Sequence, residues 1–373
     1  MKIGFDAKRA FNNKSGLGNY SRDIIRAMQK KEEAQIFLFT PKKNESIFTI
    51  DKAKTIYAPE GIDSWISAYW RSFSIMKEVR NLQLDIFHGL SNELPFTLCA
   101  NVKKVVSIHD LIFKRYPQWY KAIDRKIYDW KFKAACQNAD NIIAISEQTK
   151  ADIIKFYGIN EDKITVVYQT CNDAFKTVSS PEQIVNIREK YQLPSEFLLN
   201  VGTIETRKNA MNIVKALHQH KIEMPLYIIG RNTKYAEEIK VYITQHHLDK
   251  QVKLLHNVSN EELPVFYDMA KVFIYPSTFE GFGIPIIEAL YSNTPVISSQ
   301  GSCFSEAGGA DSIYVEVGNI DALAEAIVSL LSDTEKYKLM QEKGKMYVQK
   351  FESDKLTNEL YQIYKNLLNK TVK

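Results

Sequence analysis

Residues 272–299 read VFIYPSTFEGFGIPIIEALYSNTPVISS. Val272 to Tyr275 is a short apolar run of β-formers stopped by Pro276, which predicts a buried strand. The loop Ser277-Thr278-Phe279-Glu280-Gly281-Phe282-Gly283 follows. Pro285 suits the first turn of a helix, where its missing N–H costs nothing. Ile286, Ile287, Ala289 and Leu290 then supply one apolar helical face. Asn293 and Pro295 end the helix, and residues 295–299 restart as a strand. This is a β–loop–α–β unit whose glycine-bearing loop feeds a helix N-terminus at Ile284. Such a terminus offers N–H groups and a partial positive charge, which suits a phosphate. Glu280 in the loop and Glu288 about one turn into the helix do not suit a phosphate. Carboxylates do suit sugar hydroxyls, as pure acceptors facing donors. The plain alternative is a surface glutamate and a glutamate favoured by the helix dipole.

Outward from this unit, short strand patterns alternate with helix patterns along the whole chain, which predicts α/β architecture with parallel sheets. Toward the N-terminus lie strand patterns at 2–7, 36–40, 55–58, 85–88, 104–109, 141–146 and 163–168. Residues 65–82 read as helix, and Ser146-Glu147 caps another helix through Tyr157. Residues 169–180, with the punctuation Ser179-Ser180-Pro181, read as a linker. Strand patterns resume at 197–201, 225–230 and 252–255, and S-x-E-E at Ser259 opens a helix through Met269. After the central unit come 302–307, a strand at 314–317 and helices near 321–331, 334–350 and 353–368.

Candidate site residues stand at the carboxyl ends of these strands, where open α/β sheets bind ligands. Gly202 to Asn209, GTIETRKN, joins a strand to a helix and carries Arg207 and Lys208 where a diphosphate would sit. A solvated basic pair is the alternative. Gly230 ends another strand, where a base or ribose could pack. Gly16 and Gly18 form a glycine loop before an amphipathic helix, equally readable as a tight turn. The first strand is not followed by G-x-G-x-x-G, so a dinucleotide fingerprint is absent. His109 closes the strand KVVSIH.

Length and composition bound the rest. The chain has 373 residues, too many for one core. It is 45% hydrophobic and 25% charged, the composition of an ordinary globular protein. No apolar run reaches membrane-spanning length and the start MKIGFDAKRAF lacks a signal-peptide core. Cys99, Cys136, Cys171 and Cys303 are scattered without metal-ligand spacing, which predicts free thiols and a cytoplasmic protein. No D-x-D pair occurs, so no metal clamp is expected. Residues 1–178 hold 28 Lys+Arg against 20 Asp+Glu, and residues 179–373 hold 21 against 24. The first half can therefore meet something anionic. Its stretch 113–138, FKRYPQWYKAIDRKIYDWKFKAACQN, mixes cations with Tyr and Trp. That suits an anionic membrane or a lipid-phosphate acceptor; a solvated helix with its aromatics in the core is the alternative. No nucleic-acid-binding motif accompanies it.

The run P-S-x-x-E-G-F-G-I-P-x-x-E-A around Glu280 and Glu288 closely resembles the signature of the retaining, nucleotide-sugar-dependent glycosyltransferases of family 4 (glycosyl transferases group 1). GTIETRKN resembles that family's phosphate loop, most closely in bacterial mannosyltransferases of surface polysaccharides. Many relatives carry an arginine directly after the glycine; this chain has Thr203 there. The resemblance implies the GT-B fold: two Rossmann-like domains facing across a cleft, at 1–178 and 179–352, with the C-terminal helix 353–373 packing back on the first. It implies that Glu280 contacts the donor sugar and Glu288 the ribose. The backbone of Gly281, Phe282, Gly283 and Ile284 would approach sugar and diphosphate. Lys208 and Arg207 would stabilise the departing diphosphate, and His109, through its H-D-L segment, would touch the sugar. It places the Gly16–Gly18 loop against donor phosphate or acceptor.

The implied activity is metal-independent hexose transfer with retention, without a cofactor. The donor would be a sugar nucleotide such as GDP-mannose or UDP-glucose, and the acceptor a glycan or lipid-linked sugar. The place would be the cytoplasm, peripheral on the inner face of the membrane, in cell-surface polysaccharide or lipopolysaccharide synthesis. Retention is commonly explained in this family by front-face attack; Glu280 as a nucleophile is the alternative. A nucleotide-sugar epimerase of the same fold and a non-catalytic sugar-nucleotide-binding protein are the other readings. Incubating donor with and without acceptor separates all three.

Overall fold

Short runs such as Ile142-Ile143-Ala144 and Val272-Phe273-Ile274 are apolar throughout rather than alternating, the mark of strands covered on both faces. In the computed structural model, which describes residues 1–42, 44, 46–51, 53–58, 69–99 and 101–369, these runs form two wholly parallel sheets. The chain divides into two units, residues 1–169 with 353–373, and residues 170–352.

The first unit holds strands β1 (Lys2–Asp6), β2 (Gln35–Thr40), β3 (Lys54–Tyr57), β4 (Ile86–Gly89), β5 (Lys103–Ile108), β6 (Asn141–Ala144) and β7 (Ile164–Val166). Their order in the sheet is β3-β2-β1-β4-β5-β6-β7. The order reverses between β1 and β4, with Phe5 opposite His88, and such a switch point opens a crevice at the carboxyl ends. A core built on Phe37, Phe87, Val106 and Ile142 covers the sheet. The helix Ser353–Asn369 belongs to this unit. It buries Leu356, Leu360 and Tyr364.

The second unit holds β8 (Leu198–Val201), β9 (Leu226–Ile229), β10 (Val252–Leu255), β11 (Val272–Tyr275), β12 (Val296–Ser299) and β13 (Ile313–Val315). The order is β10-β9-β8-β11-β12-β13, with its switch point between β8 and β11. The two loops leaving that crevice are 202–209 and 276–283. Its core rests on Leu198, Ile228, Ile274 and Ile297.

Several expected elements differ. Of the expected helix 65–82, residues 65–68 lie outside the described residues. The remainder is a π-helical turn, Trp70–Ser74, followed by the α-helix Met76–Leu82. Gly16 and Gly18 are the first turn of the helix Gly16–Gln29, not a loop before it. The stretch 113–138 is broken: Ile112–Arg115 is α-helix, Pro117–Trp119 a 3₁₀ turn and Ala122–Asn138 the long helix. Pro117 interrupts it because proline disfavours helix at the residue before it. Ser259 and Glu262 make the reciprocal capping bonds, yet the α-helix begins at Leu263. Pro264 lacks an N–H and belongs in a first turn.

Candidate active site

Two loops from neighbouring strand ends make the site of the second unit. Gly202, with φ +146°, turns the chain out of β8. The carbonyl of Gly202 would lie 1.8 Å from a Cβ at Gly230. Gly230 is therefore required by close approach of two backbones. The loop then forms the 3₁₀ turn Thr206–Lys208, and Asn209 in the left-handed region starts the helix Ala210–Gln219. The second loop laces onto it: Thr278 N–H donates to the Arg207 carbonyl at 2.8 Å. Asn209 Nδ2 donates to Pro276 O at 3.1 Å and to Thr278 Oγ1 at 3.0 Å.

This lacing brings Glu280 to Arg207 and Lys208. Arg207 Nη1 lies 2.7 Å and Lys208 Nζ 2.5 Å from Glu280 Oε1. Tyr275 OH donates to the same oxygen at 3.2 Å, accepts from Lys208 Nζ, and its ring lies under that ammonium. Arg207 also donates to Phe279 O at 2.6 Å and to Glu205 at 2.7 Å. All three contacts to Glu280 fall on Oε1, and Oε2 takes no hydrogen bond among the described residues. Burial alone would raise the Glu280 carboxyl, but Lys208 and Arg207 outweigh it and hold the group at about 2. Burial lowers Lys208, against the pull of Glu280 and with help from Arg207. Arg207 is raised: burial opposes its charge, and Glu280 more than compensates. The cluster is thus a fixed carboxylate with one free oxygen, beside an ammonium whose charge an incoming anion would favour.

The helix Ile284–Tyr291 starts where the loop ends, with Gly283 as its cap and Pro285 in its first turn. The first N–H groups of a helix have no intrahelical acceptor, so Gly281, Phe282, Gly283 and Ile284 lead into a donor-rich terminus. Ser302 and Cys303, in the segment that follows β12, hold the loop in place. Ser302 Oγ donates to Glu280 O at 3.1 Å and Cys303 Sγ to the same carbonyl at 3.3 Å. Glu288 accepts from Tyr267 OH at 2.9 Å. Burial pushes its carboxyl up to about 7, with that hydrogen bond opposing.

In the first unit His109 stands one residue beyond β5 and is 5% exposed. Its Nε2 lies 2.9 Å from Leu90 O. A carbonyl only accepts, so Nε2 carries the proton. The Nδ1 lone pair then accepts from Gln169 Nε2 at 3.2 Å. Its backbone N–H donates to Asn92 Oδ1 at 2.7 Å, and Tyr20 meets the ring edge-on at 4.7 Å. Burial lowers the imidazole to about 4, so it is neutral at pH 7. Behind it runs a buried chain: Tyr20 OH to Ser107 Oγ at 2.7 Å, Ser107 to His88 Nε2 at 2.8 Å, and His88 Nδ1 to Tyr364 OH at 2.5 Å. Gly16 has open space at its Cβ position, whereas Gly18 packs against Asn13 O.

The structure therefore gathers Glu280, Arg207, Lys208, Gly202 and the loop 281–284 at one switch point, with Glu288 on the adjoining helix. His109 and the first-turn glycines belong to the other unit. Sequence reasoning missed Tyr275, taken as core, and the supports Cys303, Tyr267 and Gln169. All but Tyr267 stand at or just beyond the carboxyl ends of strands, and that position was the available signal. Among the described residues no group of three or more His, Cys, Asp or Glu side chains could hold a metal ion.

Comparison with known proteins bears on this arrangement. The family described as "Glycosyltransferase Family 4" matches residues 14–174 and "Glycosyl transferases group 1" matches residues 184–347. The chain belongs to the group 1, family 4 glycosyltransferases. It is 24% identical to the Escherichia coli O-antigen chain mannosyltransferase B over 78% of this chain and 76% of that one. It is 27% identical to the O-antigen chain mannosyltransferase RfbU of Salmonella typhimurium, over 70% and 72%. Among solved structures, a Rickettsia africae glycosyltransferase superposes with a TM-score of 0.77 at 20% identity, over 98% of each chain. Anabaena Alr3699/HepE in complex with UDP-glucose also gives 0.77, at 17% identity, over 98% of this chain and 100% of that one. This family 4 member is thus a glycosyltransferase of GT-B fold, similar to enzymes of surface polysaccharide synthesis. No helix among the described residues is long and apolar enough to cross a membrane.

Proposed function

We propose that this family 4 enzyme transfers a hexose, of mannose or glucose type, from a nucleoside-diphosphate sugar to a glycan or lipid-linked acceptor, with retention and without metal or cofactor. The observation that carries the reading is the Glu280 carboxylate, pinned through Oε1 by Arg207 and Lys208 with Oε2 left unbonded. A carboxylate so fixed accepts hydroxyl hydrogen bonds from a sugar without moving. The two cations and the helix terminus at Ile284 meet the diphosphate, whose charge grows as the glycosidic bond breaks. Glu288 accepts from the ribose, and its raised carboxyl ionises on doing so. Charge on Glu280 also favours the positive charge that develops on the sugar, so it serves positioning and stabilisation rather than attack. His109, neutral and fixed as the Nε2–H tautomer, offers only Nδ1 to a sugar hydroxyl, in exchange for Gln169.

Similarity to O-antigen mannosyltransferases favours mannose and a bacterial surface polysaccharide. The excess of cations in residues 1–178 supports peripheral contact with an anionic membrane, where lipid-linked acceptors reside. The test is a panel of nucleotide sugars, incubated with and without acceptor, with product configuration read by NMR. Transfer with retained configuration supports the reading. Isomerised donor without acceptor, or binding without turnover, overturns it.

A further inference from the structure

Exposed large apolar side chains are unevenly placed. In the second unit they are scattered aliphatics such as Val241 and Met346, and among the described residues none is aromatic. In the first unit Tyr69, Phe73, Ile123, Ile127, Tyr128 and Trp130 are all exposed, Trp130 by 58% and Ile123 by 73%. Four rings form a ladder. Tyr69 stacks on Phe73 at 5.2 Å, Phe73 on Phe96 at 5.4 Å and Phe96 on Trp130 at 4.8 Å. The ladder continues onto the helix Ala122–Asn138. There Ile123, Lys126, Ile127, Trp130 and Lys133 are exposed and recur at helical spacing, so they share one face. The stripe runs for about 15 Å along the helix axis. Neither Lys126 nor Lys133 has a carboxylate partner among the described residues. Single exposed hydrophobes need no explanation; a contiguous array interleaved with unpaired cations does.

We infer that this face docks on the surface of an anionic lipid bilayer, the helix lying flat. Ile123, Ile127 and the ring edges enter the headgroup layer, and Lys126 and Lys133 meet lipid phosphates. The inference deepens the peripheral contact proposed above and rests on it for its setting. Geometry favours lipid over a sugar chain. Sugars stack on open ring faces, but the two middle rings, Phe73 and Phe96, each stack on two neighbours, which leaves an open face only at the ends of the ladder, on Tyr69 and Trp130. Edges beside aliphatic side chains and cations match the headgroup boundary, where Trp and Tyr collect. The charge of residues 1–178, 28 Lys+Arg against 20 Asp+Glu, complements anionic lipid.

The experiment is co-sedimentation of the full chain with vesicles of phosphatidylcholine, or of phosphatidylcholine mixed with phosphatidylglycerol. The wild type should bind the mixed vesicles and lose them as salt rises, since exposed charges are screened over about 10 Å at 0.1 M. Lys126→Glu/Lys133→Glu should lower partitioning by about 30-fold or more, the worth of two cations near an anionic surface. Ile123→Ser/Trp130→Ser should weaken binding to the same vesicles with the charge unchanged. All four positions are exposed, so circular dichroism should show both variants folded. Transfer to a water-soluble acceptor, measured in parallel, should be unaffected. Failure of the wild type to bind either vesicle overturns the inference, as does wild-type binding by both variants. So does a soluble oligosaccharide that quenches Trp130 fluorescence where vesicles do not, which would make the face a glycan platform. Vesicle binding lost while soluble transfer persists removes the docking face and leaves the transferase reading standing. Vesicle binding kept with no transfer to any acceptor does the reverse.

Discussion

Glu280→Gln preserves the shape of the side chain and removes its charge. In the folded protein Lys208 and Arg207 bring that carboxyl from the ordinary 4.5 to about 2. At about 1.4 kcal/mol per tenfold change in proton affinity, the folded site favours the charged form by about 3 kcal/mol net, the cations outweighing burial. The side chain is only 13% exposed, so little of this is screened by water. The sign follows from the lowered value: this stability is present above pH 4.5 and is lost as pH falls toward 2. At neutral pH the variant should therefore unfold about 3 kcal/mol more easily in urea, and this deficit should vanish in acid. Catalysis should fall further than stability explains. A neutral amide cannot favour positive charge on the sugar, so kcat should drop by about 100-fold, the scale of one lost transition-state contact. Affinity for bare nucleoside diphosphate should stay at or above the wild-type value, because Arg207 and Lys208 lose their competing anion. Calorimetric titration and initial rates on one preparation decide it. A loss of nucleoside diphosphate affinity matching the loss in kcat would show that Glu280 serves the nucleotide, and the division of roles between the two glutamates would fall.

Lys208→Ala should lower kcat by about 100-fold in a folded protein; unchanged turnover would remove Lys208 from the diphosphate site. Glu288 holds its proton between pH 4.5 and about 7 in the folded chain, so its share of stability is full below 4.5 and is lost as pH rises through 7. Nucleotide binding should then release a proton below pH 7 and weaken as pH falls, seen as a buffer-dependent enthalpy that Glu288→Gln abolishes. Gln169→Leu should leave His109 Nδ1 without its donor. Nitrogen-15 spectra of the labelled histidine should then show the Nδ1 resonance shifted with the Nε2–H tautomer kept, because Leu90 O still accepts from Nε2; a change of tautomer would show that Gln169 and not Leu90 sets it. EDTA should leave activity intact; loss restored by magnesium would contradict metal-independent transfer.

The strands were legible because a parallel, doubly covered strand announces itself as a short unbroken apolar run, as Ile142 and Phe273 show. Glu280, Arg207 and Lys208 were legible for a second reason, their place in loops after such runs. Their mutual pairing was not. A glutamate and a basic pair in separate loops meet only because the strand order reverses between β8 and β11, and one sequence carries no record of strand order. Tyr275 was hidden in the same way: its ring is core, while its hydroxyl reaches Glu280. Gln169 lay in what reads as linker, and its amide finds His109 only in three dimensions. In the stretch 113–138 the reading of the aromatics as core holds for only some of them. Phe113 and Phe132 are buried, whereas Tyr128 and Trp130 are exposed, because helix faces are set by the neighbours a helix packs on.

The helix Ser353–Asn369 belongs to the first unit although the second lies before it in sequence. On the ribosome, residues 170–352 emerge complete while the first sheet still waits for its last helix. Until Tyr364 arrives, the Nδ1 atom of His88 lacks the hydroxyl it faces in the finished fold. An imidazole nitrogen buried without a partner costs about 1–3 kcal/mol. The order of synthesis thus makes the second unit the earlier to close, and defers full burial of the first unit's polar chain until the helix Ser353–Asn369 is made.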